Sequence, residues 1–177
     1  MIKAAFQTVI DAEWTRLEPI RVGAISTGLG TPDIYVLVED DGSPLVRIDV
    51  YAEEAVHAFQ EVIVWEGFVV IGFGHFVHLV GYRNSEAVAL RLDNYFARLY
   101  PGAGWLIVAS SERLFRINPD GRIAWKTETL GLDGVVVDAI DNNVVLGQGE
   151  WDPPGGWRPF QVSLASGETL VESRDRV

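Results

Sequence analysis

Short apolar runs alternate with turn-forming residues along this chain, and the runs return at a fixed spacing. Leu106–Val108 follows Val69–Ile71 by 37 positions, and Val144–Leu146 follows by a further 38. Runs of four to eight residues rich in Val, Ile, Phe and Trp, bounded by Gly, Pro, Asn or Asp, read as β-strands. A period of this length means one supersecondary unit built several times and stacked, because a single copy cannot bury its own apolar face.

Three copies align, each with four short strands. The first of them has Gln60–Trp65, Phe68–Phe73, Phe76–Gly81 and Ala87–Asp93. The next has an irregular strand near Tyr95–Tyr100, then Ala103–Ser110, Arg113–Asn118 and Arg122–Thr127. The last has Val135–Ile140, Asn143–Gly147, Pro159–Leu164 and Glu168–Glu172. A fainter copy opens the chain, with Asp33–Glu39, an Asp41-Gly42 turn and Pro44–Tyr51. Strands joined by two- to five-residue turns form antiparallel meanders, and four-stranded meanders at roughly 40-residue spacing are the mark of propeller blades. Stacked blades bury both faces, which accounts for runs such as VVIGF and WLIVA that do not alternate strictly. The pattern predicts an all-β, small β-propeller-like fold of about four blades, open or completed by a second copy. One domain would hold four repeats, near 1–51, 52–93, 94–130 and 131–177.

Two segments pull the other way. Ala52–Gln60 is Ala-rich with acidic residues in a first turn, and Leu92–Tyr100 could be capped at Asp93 or Asn94 and stopped before Pro101. If both are helical, the fold becomes α+β, with short helices on an antiparallel sheet.

NPDGRIAW (118–125) and SLASGETL (163–170) resemble the outer hairpin of quinoprotein-type, PQQ-like propeller repeats, in which a small-residue turn precedes a strand ending in an aromatic or aliphatic residue. The resemblance covers Gly67 onward and matches the first 60 residues poorly. It implies a propeller of stacked meanders. The cofactor role of that family does not carry over, because no matching ligand residues are present and a short propeller lacks the wide funnel; no cofactor is expected.

Composition narrows the function. With 177 residues, 48% apolar and 22% charged, the chain is long enough for one sizeable core and has a globular balance. Net charge is −11, and residues 1–88 carry 5 basic against 13 acidic side chains. A field of that sign repels phosphate, so neither nucleic acid nor an anionic membrane is an expected partner, whereas a basic protein is. The absence of cysteine removes disulfides, thiolate catalysis and the usual structural zinc sites. Met1–Trp14 has no apolar run of signal-peptide type, and the stretch Phe68–Val80 is interrupted by Gly72, Gly74, His75 and His78, so a cytoplasmic location is expected.

No catalytic set converges. His75 and His78 are three apart, which on a strand sends them to opposite faces, so a shared metal is not expected, and His57 stands alone. Ser110–Ser111 reads as a capped hairpin turn, and Gly28–Pro32 lacks the Lys of a phosphate loop. Glu39-Asp40-Asp41-Gly42 and Asp138–Asn143 lack the spacing of a calcium loop and read as solvated turns. The insertion Glu150–Pro159 differs in kind, because it packs two Trp, an Arg and several turn-formers into ten residues. Trp and Arg bring large contact area at modest entropic cost, and insertions on repeat scaffolds often mark the binding face. Trp151, Asp152, Trp157 and Arg158 are therefore the candidate binding residues, unless both rings fold back to cap the last blade. Trp14, Trp65, Trp105 and Trp125 read as core.

These features predict a non-enzymatic protein-interaction domain, in its most concrete form a neutraliser of a basic partner in the manner of bacterial immunity proteins. A ligand-binding protein or hydrolase with an axial pocket is one alternative. A self-associating module that forms a homo-oligomer through edge strands at Met1–Ile10 or the C-terminus is another.

Overall fold

The computed structural model describes residues 1–25, 30–53, 59–151 and 156–170. These fold into two compact units, Met1–Phe96 and Ala97–Val177. Among the described residues there is no α-helix, only a 3-10 turn at Trp14–Arg16, and no helix long and apolar enough to cross a membrane.

The first unit holds two four-stranded sheets. One consists of β1 (Ile2–Gln7), β2 (Ile20–Gly23), β3 (Ile34–Asp40) and β4 (Ser43–Tyr51), in the order β1-β3-β4-β2. Alternation sorts its residues: Ile2, Ala4 and Phe6 of β1 face the same core as Val36 and Val38 of β3 and Ile48 and Val50 of β4. The other sheet is the meander β5 (Gln60–Trp65), β6 (Phe68–Phe73), β7 (Phe76–Gly81) and β8 (Ala87–Arg91). It contributes Val69, Ile71, Phe73 and Val80 to that core. Each such side chain contributes about 1.5–3 kcal/mol by leaving water. Two of the hairpins turn on Asp41-Gly42 and Glu66-Gly67, all four residues at positive φ, as type I′ turns require.

β9 (Phe96–Gly102) begins at the unit boundary, and β10 (Trp105–Ser110), β11 (Leu114–Ile117) and β12 (Ile123–Lys126) complete a third meander with it. The predicted Pro119-Asp120-Gly121 turn joins β11 to β12, with the Gly121 amide donating to the Asn118 carbonyl at 2.9 Å. The fourth sheet is β13 (Gly134–Asp141), β14 (Val144–Glu150) and β15 (Trp157–Ser163). Ile107, Leu114, Trp125, Val135, Val145, Phe160 and Val162 make the second unit's core. The Leu164 carbonyl accepts from both Trp125 Nε1 (3.0 Å) and the Arg116 guanidinium (2.9 Å), tying the end of β15 to the preceding meander.

All-β architecture in repeated, mostly antiparallel four-stranded sheets matches the pattern of the sequence, and among the described residues none of the sheets closes on itself. Three details differ from expectation. The opening sheet is not a simple meander, because β2 pairs in parallel with β4 and β1 adds to the far side of β3. The α+β alternative fails at Leu92–Tyr100. There the Leu92 and Phe96 amides donate to the carbonyls of His75 and Gly74 instead of entering helical bonds, and the Phe96 ring is buried over Gly72. The other proposed helix, Ala52–Gln60, lies mostly outside the described residues, and Gln60 already belongs to β5. Last, the expected strand Glu168–Glu172 is represented in the described residues by one bridge, Val162 to Thr169.

Candidate functional site

The Glu150–Pro159 insertion lies in the second unit, where β14 runs out and β15 begins. Glu150 is the partner of Trp157 and Gly149 that of Arg158 in the ladder, so side-chain alternation places Trp151 and Arg158 on one face of the sheet and Trp157 on the other. The Arg158 guanidinium stacks over the Trp151 ring at 5.5 Å. Both border a groove of about 650 Å³ with Leu130, Phe160 and Leu170. Trp157 lies against Gly134 on the opposite face and stays 46% exposed. Asp152 lies outside the described residues. Of the four candidates, the fold thus brings two together and turns a third away. Residues 168–170 run along the outer side of β15, the Ser163 amide donating to the Glu168 carbonyl and the Leu170 amide to that of Gln161, and Pro159 stands beyond them with no N–H to offer another strand.

The remaining candidates resolve into structural roles. His78 is buried on β7 at 2% exposure beside the Phe76 ring, and burial pushes its pKa down to about 4. His75 sits in the turn before β7, and His57 lies outside the described residues. Ser110 Oγ accepts from the Glu112 and Arg113 amides, as a turn cap does. Of Gly28–Pro32, the first two residues lie outside the described ones. Asp41 and Gly42 form a hairpin turn, as do Asn142 and Asn143, both at positive φ; the N-terminal ammonium pairs with Asp40 and Asp41. Among the described residues no three of His, Asp and Glu come together as metal ligands would. Trp14, Trp65 and Trp125 are buried, and Trp105 is half-buried.

Two features of the first unit have no counterpart in the sequence pattern. A cleft of about 930 Å³ is lined by β1, by Val9–Asp11 with Trp14, and by Val62, Ile63 and Val64 of β5. Two carboxylates, Asp11 and Glu39, border it. Asp11 caps the 3-10 turn by accepting from the Glu13 and Trp14 amides, and Glu39 stands opposite Lys3 in the β1–β3 ladder. The alternation of Ile2, Ala4 and Phe6 with Lys3, Ala5 and Gln7 is the signal for β1, but which edge it pairs with is a non-local matter. The second feature is a smaller polar groove over β4, where Arg47 Nε and Nη2 donate to both oxygens of Asp49 at 2.8 Å and the guanidinium lies over Tyr35. Asp49 holds the Arg47 pKa above its usual value.

Three of the four sheets are simple antiparallel meanders, as propeller blades are, and solved structures share this fold. BamB from Moraxella catarrhalis superposes with a TM-score of 0.54 at 16% identity, over 88% of this chain and 49% of that one. AztD from Citrobacter koseri gives 0.51 at 14% identity, over 80% of this chain and 42% of that one. Both are β-propellers. The chain has a β-propeller-like fold. It spans about half the length of these two structures. No protein-family model matches it, and no curated protein does.

Proposed function

We propose that this chain is a non-enzymatic protein-interaction domain of the cytoplasm, built from quinoprotein-type repeats without their cofactor, that neutralises a basic protein partner as an immunity protein does. The observation that carries this reading is the edge of β15. There Trp157 stands 46% exposed on one face, and Trp151 with Arg158 frames a groove on the other, in a molecule of net charge −11. Aromatic and Arg anchors supply the desolvated centre of an interface, while the surrounding acidic field speeds encounter with a cationic surface. Carboxylates and histidines occupied in turns and in the core fit a binding scaffold better than a catalytic one.

The test is association with basic proteins captured from native lysate and then purified, measured at low and at high salt. The reading expects rates that fall steeply with ionic strength, and at least about a tenfold loss of affinity on Trp157→Ala or on Trp151→Ala with Arg158→Ala. Because the anchors lie on opposite faces, the two variants report separately. Binding independent of salt, or unchanged in both variants, overturns the proposal. A fall in melting temperature without loss of binding assigns the rings to edge capping.

A further inference from the structure

The cleft between β1 and β5 is bordered by backbone as well as by side chains, and the backbone decides what fits. The β5–β6 hairpin closes on the two-residue turn Glu66-Gly67, so Trp65 with Phe68, Ile63 with Val70 and Glu61 with Gly72 are the pairs that exchange ladder bonds. The N–H and C=O groups of Val62 and Val64 therefore point away from β6, out of the sheet edge. Among the described residues no backbone group meets them. Val64 is also 37% exposed, and its neighbours in the cleft, Ile2, Ala4 and Ile10, are apolar. Unlike β15, this edge carries no proline. An apolar trough beside unpaired strand groups suits an extended chain, which supplies both the backbone bonds and alternate apolar side chains.

Charge selects the chain. The first unit carries 6 basic and 14 acidic side chains, a balance of −8. Among the described residues, Asp11 and Glu39 border the cleft against one cation, Lys3. A second copy would set −11 against −11. We propose that the cleft docks an extended segment of a basic protein, which adds to the outer edge of β5 as a further strand, its apolar residues in the trough and its Lys or Arg residues toward Asp11 and Glu39. This rests on the reading that the chain serves a basic partner, but it concerns another surface than β15.

A blocked octapeptide of alternating Lys and Val, added to the full chain, tests it through amide hydrogen exchange resolved by NMR. The expected result is at least about tenfold slower exchange at Val62 and Val64, lost when the peptide is N-methylated at alternate backbone nitrogens. Val64→Pro removes an outward donor and spares the ladder to β6, so peptide affinity should fall about tenfold or more while melting changes little. If that variant does not fold, the exchange measurement on the unaltered chain still decides. Three results overturn the inference: no peptide binding at about 1 mM, binding without protection of these amides, or equal binding of the N-methylated peptide. Protection that rises with protein concentration alone assigns the edge to a second copy and overturns it too. A basic partner that binds in the salt-dependent manner while leaving Val62 and Val64 unprotected removes this inference and leaves the proposed function standing. The reverse pattern, peptide protection without any salt-dependent basic partner, removes the proposed function.

Discussion

Arg47 and Asp49 sit two residues apart on β4, so alternation sends both to the same face, and there the carboxylate accepts two bonds from one guanidinium at side-chain exposures of 14% and 4%. Asp49→Ala leaves the half-buried guanidinium without its carboxylate at the wall of a polar groove, and should cost about 1–3 kcal/mol, read as a fall in the denaturation midpoint. The double variant Arg47→Met with Asp49→Leu should recover most of that loss, because the desolvation of both charges goes with them. A double variant as unstable as the single would show that packing, rather than the stranded charge, sets the cost. His78 gives a second residue-scale expectation. Its pKa is about 4 in the folded chain, against the 6.5 of a histidine in water. Between those limits the unfolded chain binds a proton that the folded chain refuses. Stability should fall as pH drops through that window, by about 3 kcal/mol in total, and not rise. His78→Leu should flatten that part of the curve. An equally steep curve in the variant would assign the slope to other groups.

Gly72 and Phe96 link the residue to the element. A Cβ on Gly72 would clash with the Phe96 ring, so Gly72→Ala should cost about 1–3 kcal/mol through overpacking, and Phe96→Leu in the same chain should return part of it. Additive losses in the double variant would refute the contact. That contact is also why Leu92–Tyr100 does not read cleanly as a strand. Its acidic start and its stop before proline are local signals for a helix, whereas the bonds that pull it straight come from the turn Gly74-His75, some twenty residues earlier. In the consecutive strands β5, β6 and β7 sequence and structure agree to the residue, because two-residue turns set the register, whereas β8 and β10 to β15 keep the predicted order with ends shifted by one to three residues. Where pairing is non-local, as for β1 against β3 or parallel β2 against β4, the alternation shows a strand but not its neighbour. The candidate site follows the same rule. Trp151 and Trp157 read as one aromatic tip until the ladder partner of Glu150 is known, and a single step of parity then puts them on opposite faces. The β1–β5 cleft has no local signal, since it exists only once two distant edges meet.

For the whole molecule, the uneven charge has a consequence that needs no partner. Net charge of one sign works against compactness, and at about 10 mM salt the screening length of about 30 Å reaches across a domain, while at about 150 mM it shrinks to about 8 Å. The excess is −8 over Met1–Phe96 and −3 over the remaining residues, on 6 and 8 basic side chains respectively. Added sodium chloride should therefore raise the melting temperature, and by a few degrees if the relief amounts to about 1 kcal/mol. The two units have separate cores, so the relief should also be uneven. Amide exchange at Val36, Ile48 and Ile71, which are fully buried in the first core, should slow more with salt than exchange at Ile107, Leu114 and Val145 in the second. Equal slowing in both units would mean that the chain unfolds as one cooperative body and that the charge is felt globally. Slowing confined to the second would contradict the electrostatic account, since that unit has the least repulsion to lose. The same asymmetry makes the first unit the stronger attractor for a cation, so a salt response concentrated there would be the solvent's version of the encounter proposed for a basic protein.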